Sequence, residues 1–243
     1  MQKLNDFSMW MSINSRLSDS SIYKYTRAIN TISNEMLEKN VINKSLLEMN
    51  LVELDISLAN ILCNDYFLQK NSIGNNMYSN ALKQFRYFSC ESMSRNDEEQ
   101  RIENEISNSN ELTITEKQMI IHARVGQGKY RANLLEKYEN QCIVTGIDKA
   151  QLLIASHIKP WSVCDNAERI DTENGLLLCP NIDRLFDYGL LTFCDNGKVE
   201  ISSFVGEANI KRMHLDTDLI VDLRATKRLL LYLEYHRDVL FVK

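Results

Sequence analysis

The chain has 243 residues, 44% hydrophobic and 25% charged, with a mean hydropathy of −0.30, values of a soluble globular protein with room for one large domain or two modest ones. Eight glycines and two prolines exclude collagen-like and Pro-rich chains, and no apolar run approaches the ~20 residues of a membrane span. A formal charge of −5 argues against a surface coated in positive charge for indiscriminate nucleic-acid binding, but not against a local basic groove.

The opening stretch Met1-Gln2-Lys3-Leu4-Asn5-Asp6 has neither an apolar h-region nor a small-residue cleavage site, so no secretory signal is expected and a cytoplasmic location follows. The first part reads as helical. Ser18-Asp19-Ser20 is an N-cap cluster, and Ile22, Tyr25, Ile29, Ile32, Met36 and Leu37 follow at helical spacing. A second helix is expected from about Asp55 through Ile61, Leu62, Phe67 and Leu68, and a third from about Asn76 through Tyr78, Leu82, Phe85 and Phe88. Asn71-Ser72-Ile73-Gly74 reads as a turn. The run Phe7-Ser8-Met9-Trp10-Met11, then Ser20, Tyr23 and Tyr25, then Tyr78, Leu82, Lys83, Phe85 and Phe88, loosely resembles the small helical DNA-clamping domain at the front of tyrosine recombinases. That likeness implies recognition of DNA or a partner by about the first ninety residues. Any small helical bundle gives similar spacing, so a plain bundle stays open.

Charge divides the chain. Residues 1–95 hold ten Lys and Arg against nine Asp and Glu, a sum of +1, whereas residues 96–110 (NDEEQRIENEISNSN) hold five acids and one Arg, a sum of −4. The acidic stretch reads as a solvated linker. The expected organisation is a helical bundle over 1–95, an acidic linker over 96–115 and a second domain over 116–243.

Beyond the linker the pattern is mixed. Residues 118–138 have helical spacing, interrupted at Gly126-Gln127-Gly128. Leu152-Leu153-Ile154-Ala155 and Leu176-Leu177-Leu178-Cys179 read as short buried strands. Leu190-Leu191-Thr192-Phe193 and Lys198-Val199-Glu200-Ile201 flank an Asn196-Gly197 hairpin turn. Residues 224–239 are helical in spacing again. The six cysteines, Cys63, Cys90, Cys142, Cys164, Cys179 and Cys194, form no C-x-x-C pair and read as free thiols in a reducing compartment.

The residues that bear chemistry fall within 142–189. CIVTG is followed by Ala155-Ser156-His157-Ile158-Lys159-Pro160-Trp161, a polar loop to Glu173-Asn174-Gly175, and then LLLCPNIDRLFDYG. Cleaving a phosphodiester needs an activated water, neutralisation of developing charge and help for the leaving oxygen. A neutral imidazole takes a proton from water near neutral pH, and His157 at a strand end is the candidate. Asp183 and Asp187 stand four apart, on one face of a helix. Their hard oxygens suit Mg²⁺ or Mn²⁺ over Zn²⁺, against the plainer reading of a solvated acidic face. Arg124, Lys129 and Arg131, beside the glycine kink, with Lys159 and Arg184, are candidate DNA phosphate contacts; simple solvation is the alternative for each.

Strand, His, long loop, Asn, strand, short helix is the order of a ββα-metal finger. The segment resembles the HNH endonucleases, in the branch whose first histidine sits in an S-H-I-x-P-W context. Upstream Arg124-Val125-Gly126-Gln127-Gly128-Lys129-Tyr130-Arg131 and downstream Tyr235-His236-Arg237 resemble that branch's flanks, so the likeness covers roughly residues 117–243. It implies an α+β fold, a helical N-terminal domain followed by a C-terminal HNH domain with the finger. It implies a divalent-metal-dependent DNA endonuclease, of the bacterial restriction or anti-phage defence kind, with DNA as partner. His157 would be the general base, Asn174 would position it, and Asp183 and Asp187 would hold Mg²⁺ or Mn²⁺, with the Ser156 hydroxyl beside them. Asp183 stands where the family usually has histidine, and Ser156 where many members have Asp or His. Where many members hold structural zinc with two C-x-x-C pairs, this chain has Cys142 with Thr145 and Cys179 with Ile182. A closed zinc site needs four ligands, so no structural zinc is expected and both thiols read as small buried hydrophobes. A homodimer would explain cutting of both strands. The alternative is a catalytically silent HNH-like DNA- or protein-binding module. A nuclease toxin is the third reading; the absence of a visible secretion signal and the neutralised charge count against it.

Overall fold

The computed structural model describes residues 2–15, 17–92, 106–108, 112–124 and 128–243. The chain divides into two units, Met1–Asp97 and Glu98–Phe241. Most of the acidic stretch expected to be a linker lies outside the described residues, as do Gly126 and Gln127 of the glycine kink.

The first unit is helical throughout its described residues. α1 (Gln2–Asn14), which the periodicity does not flag, buries only Phe7 and Met11, four residues apart. In α2 (Asp19–Glu38) the Ser18 hydroxyl accepts the Ser21 N–H at 3.3 Å, and Ile22, Ile29, Ile32 and Met36 form the buried stripe. The helix expected over about 55–68 is two helices. α3 (Leu51–Leu62) starts earlier because Asn50 and Glu53 form a capping box, each side chain accepting the other's N–H at 2.9 Å. It ends at Cys63, because the Asn64 side chain accepts the Phe67 N–H and opens α4 (Asp65–Ile73). The expected turn is displaced: Asn71, Ser72 and Ile73 stay helical, and the chain turns at Asn75 and Asn76, with φ of 50° and 61°. Asparagine tolerates that left-handed backbone better than most residues. α5 (Met77–Ser92) closes the bundle, with Phe85 edge-on to Phe7 at 5.2 Å. Arg86 and Asp55 form a fully buried ion pair, Nε to Oδ1 at 2.7 Å.

The second unit carries the strands. α6 (Ile114–Arg124) and α7 (Gly128–Lys137) lead into a Cys142–Ile147 turn and then β1 (Ile154–His157). β1 pairs antiparallel with β2 (Gly175–Leu178), His157 opposite Gly175 and Ser156 opposite Leu176. The connecting loop holds a five-residue helix, α8 (Asn166–Ile170). α9 (Pro180–Asp187) follows β2 directly, with Pro180 at its first turn. The order β1, loop, β2, α9 is the expected ββα unit, and the fold is α+β. β3 (Leu191–Phe193) and β4 (Val199–Ile201) form the expected hairpin, with Gly197 at φ 82° in its turn. α10 (Glu207–Arg212) and α11 (Lys227–Tyr235) complete the unit, and a π-turn over His236–Leu240 ends α11 earlier than the apolar spacing suggests. α7 packs on both β1 and β2, and Leu134, Leu176, Leu177, Leu178, Phe186 and Leu233 share one core. That burial on every side is why β2 reads as a continuous apolar run. No described helix is long and apolar enough to cross a membrane.

Candidate active site

His157 ends β1, and strand geometry puts it on the face opposite Ser156. Ser156 is buried. The His157 ring stacks on Tyr130 of α7, with centroids 4.5 Å apart and planes within 8°. Its Nε2 lies 3.0 Å from the carbonyl oxygen of Arg169. That carbonyl sits in the last turn of α8, where helix carbonyls lack intrahelical donors. A carbonyl only accepts, so Nε2 carries the proton and Nδ1 keeps its lone pair. The residue reaches the surface in part. Even so, burial dominates its titration and pushes the imidazole down to about 4; the Arg169 carbonyl opposes the shift, and the Arg169 charge adds to it. The ring is therefore neutral at neutral pH.

Asn174 is fully buried. Its Oδ1 accepts the Lys159 N–H at 2.8 Å, and its Nδ2 donates to the Glu168 carbonyl at 3.2 Å and to Cys164 Sγ at 3.2 Å. Its own carbonyl accepts from Ile158 N at 3.2 Å and from the Tyr130 hydroxyl at 3.1 Å. The asparagine thus staples the start of the loop to its end. Its side chain does not reach His157: His157 and Asn174 meet through α8, bonding its last carbonyls at Arg169 and Glu168. Gly175 must be glycine for space. A Cβ there would lie 2.5 Å from the Tyr130 hydroxyl and 2.7 Å from Leu134.

The rest of the loop is equally tied. Asp165 and Glu168 form a capping box that starts α8. The buried Arg169 guanidinium lies over the Trp161 ring at 4.3 Å and donates to the Trp161 carbonyl at 3.1 Å. Asp171 accepts from the Tyr232 hydroxyl at 2.9 Å and pairs with Arg228 at 2.7 Å.

Asp183 and Asp187 both lie on α9, half-buried and one turn apart. The five candidate DNA contacts separate. Lys129 and Arg184 are exposed, the latter over the Tyr188 ring at 4.2 Å. Arg131 donates to the Leu153 and Ala150 carbonyls at 2.8 and 2.6 Å, and Lys159 pairs with Glu168 at 2.6 Å. Both cations thus also hold the frame of the finger. The Arg124 side chain lies outside the described residues.

The structure brings Cys142, Thr145, Cys179 and Ile182 to one corner. The Cys179 N–H donates to Cys142 Sγ at 3.2 Å, the Thr145 hydroxyl donates to Cys179 Sγ at 3.6 Å, and Ile182 is buried. Hydrogen bonds and core contacts hold this corner. The downstream flank is a clamp. His236, fully buried, stacks on Phe186 at 3.8 Å, its Nε2 donating to the Phe186 carbonyl and its Nδ1 accepting from Thr192. Arg237 donates to the Phe193 carbonyl and pairs with Asp195. α9 and β3 are thereby fixed to the C-terminal turn.

Residues 142–194 match the HNH endonuclease family. An HNH domain implies nuclease-type activity with DNA as substrate, and HNH nucleases generally use divalent metals. No curated protein matches the chain. The matched stretch holds His157, Asn174, Asp183 and Asp187, but neither Tyr130 nor the His236 clamp. Local sequence pattern assigns no role to Tyr130 or Arg169. Tyr130 lay inside a flank already noted, whereas nothing local marks Arg169, which acts through its backbone carbonyl.

Among the described residues no group of three or more His, Cys, Asp or Glu side chains gathers as a metal site. The donors present are two carboxylates on α9 and the Ser156 hydroxyl on β1, the strand that α9 contacts. The two carboxylates, as hard oxygens one turn apart, are the kind of donor that suits a hard cation, which binds through one or two carboxylates and retains waters. They do not suit zinc, which favours nitrogen and sulfur donors in a tetrahedral set.

Proposed function

We propose that the HNH segment is a divalent-metal-dependent DNA endonuclease with His157 as its general base. The observation that carries the reading is the Nε2 contact with the Arg169 carbonyl, which leaves Nδ1 as a proton acceptor on a neutral ring. A water beside Nδ1 gives up its proton to the imidazole as its oxygen attacks phosphorus. The bond to the 3′ oxygen breaks, and that oxygen takes a proton from solvent, leaving 5′-phosphate and 3′-hydroxyl ends, while the imidazolium returns its proton to solvent. Asn174 holds the loop that supplies the histidine's partner, and Tyr130 fixes the plane of the ring. Asp183 and Asp187, one turn apart on α9, would hold Mg²⁺ or Mn²⁺. Such an ion, when bound, neutralises charge at the scissile phosphate and the leaving oxygen. Lys129 and Arg184 are the exposed cations available to flanking phosphates. The resemblance to restriction-type enzymes supports a role in bacterial restriction or anti-phage defence.

The test is plasmid cleavage by the purified chain with Mg²⁺, Mn²⁺ or EDTA, beside His157→Ala and Asp183→Ala. Cutting that needs metal and is lost in both variants is expected. Cutting that survives His157→Ala would refute the mechanism. DNA binding without cutting, on modified and unmodified DNA alike, would favour the silent module.

A further inference from the structure

Tyr130 has a second neighbour besides His157. A cavity of about 200 Å³ opens beside it, walled by Met119 of α6, Lys129, Tyr130 and Asn133 of α7, and Ile170 at the end of α8. Ile170 directly follows Arg169, whose carbonyl holds His157. The cavity and the candidate base therefore share one wall and one helix end. Its chemistry is mixed in a particular way. Tyr130, nearly buried with one ring face on His157, joins Met119 and Ile170 as the apolar part of the wall, the Asn133 amide offers a donor and an acceptor, and the Lys129 ammonium stands exposed. Neither Lys129 nor Asn133 is engaged in a hydrogen bond or ion pair among the described residues. A small wall that is part apolar, one hydrogen-bonding amide and an exposed cation match a planar heteroaromatic ring with a polar edge, joined to a phosphate.

We propose that this cavity is a nucleobase subsite, taking an unstacked base of the DNA strand next to the phosphate presented to His157, with Asn133 reading its edge and Lys129 holding its phosphate. The inference rests on the endonuclease reading and adds a specificity determinant to it. A base inside a duplex must leave the stack to enter, so single-stranded or distorted DNA is the favoured ligand.

The test is binding of fluorescein-labelled single-stranded 12-mers to the full chain in EDTA, each position in turn carrying A, C, G, T or an abasic sugar. One position is expected to discriminate among the four bases by about tenfold, the size of one good base contact, and to lose affinity when abasic. Asn133→Ala, at an exposed position, should flatten the preference while the abasic penalty remains. Met119→Trp, which fills the cavity, should bind all five oligonucleotides alike. Equal affinity for abasic and normal sites at every position overturns the proposal without any variant, and so does an unchanged profile in Asn133→Ala. Nucleoside monophosphates are run as competitors. Competition by a free nucleotide at the affinity of the strand would make the cavity an effector site and overturn the strand reading. Because no metal or turnover is involved, failure here is separate from failure of the plasmid assay.

Discussion

Replacing Asn174 by alanine should unhinge the loop between β1 and β2. The side chain is fully enclosed and satisfies the Lys159 N–H at 2.8 Å and the Glu168 carbonyl at 3.2 Å. Truncation orphans the Lys159 N–H, whose desolvation costs about 1–3 kcal/mol, and removes a second bond with a net value of about 1 kcal/mol. The Glu168 carbonyl retains the Asp171 N–H, at 3.3 Å, so it is not orphaned. The sum is a loss of about 2–4 kcal/mol. Asn174→Asp should be no better. It keeps an acceptor for Lys159 but turns a carboxylate toward the Glu168 carbonyl, burying a charge beside an oxygen. Urea unfolding gives the global loss, and exchange of the Lys159 amide gives the local one. Cleavage should fall with it, since the Arg169 carbonyl that orients His157 belongs to the same short helix. An Asn174→Ala chain within about 0.5 kcal/mol of the parent, the range of neutral surface changes, with a protected Lys159 amide, would refute the stapling argument.

Other buried groups set further expected outcomes. The His157 imidazole is held near 4 against an ordinary 6.5 by burial, so the folded chain binds fewer protons than the unfolded chain between those values. Its contribution, about 3 kcal/mol at most, is complete above pH 6.5 and lost as pH falls toward 4; His157→Gln should flatten stability over that window in urea titrations. The acid limb of cleavage should likewise fall near pH 4 and not near 6.5. Gly175→Ala, harmless if Asn174-Gly175 were a mere turn, should cost about 1–3 kcal/mol by overpacking against Tyr130 and Leu134, read from thermal unfolding. Asp55→Ala in the first unit should cost about 3–5 kcal/mol by leaving the Arg86 charge buried without its carboxylate, and unfolding of that unit at the parent midpoint would contradict it.

What the sequence made legible was what local chemistry writes. The Ser18 cap, the apolar stripe of α2, the Asn196-Gly197 hairpin and the order of β1, loop, β2 and α9 all depend on short-range patterns. Apolar periodicity runs through Phe67 and Leu68 and hides the break at Cys63, which only the capping by Asn64 makes, and the turn at Asn75 rests on its positive φ rather than on Gly74. The lysines and arginines were harder. Sequence position offers Arg131 and Lys159 as phosphate contacts; it does not show that Arg131 also bonds two backbone carbonyls and Lys159 the Glu168 of a capping box. A cation's partner depends on which distant backbone the fold brings near, and no local rule contains that.

The same distinction bears on where the HNH segment ends as a folding unit. The match covers 142–194, yet the ring that stacks on His157 is Tyr130, and Leu134 packs on the strand pair from the same helix. On the other side His236 bonds the end of α9 and Tyr232 holds Asp171 at the end of the loop. Leu229 and Leu233 belong to the same core. Without these residues β2, buried along its whole length, would present apolar surface to water. Its two-stranded pairing alone is marginal at best. A fragment of residues 142–194 should therefore give no cooperative unfolding transition, whereas the full chain should. A cooperative transition in that fragment would mean that the corner around Cys142 and Cys179 holds the finger without α7 and α11, and would remove the case for Tyr130 as part of the site.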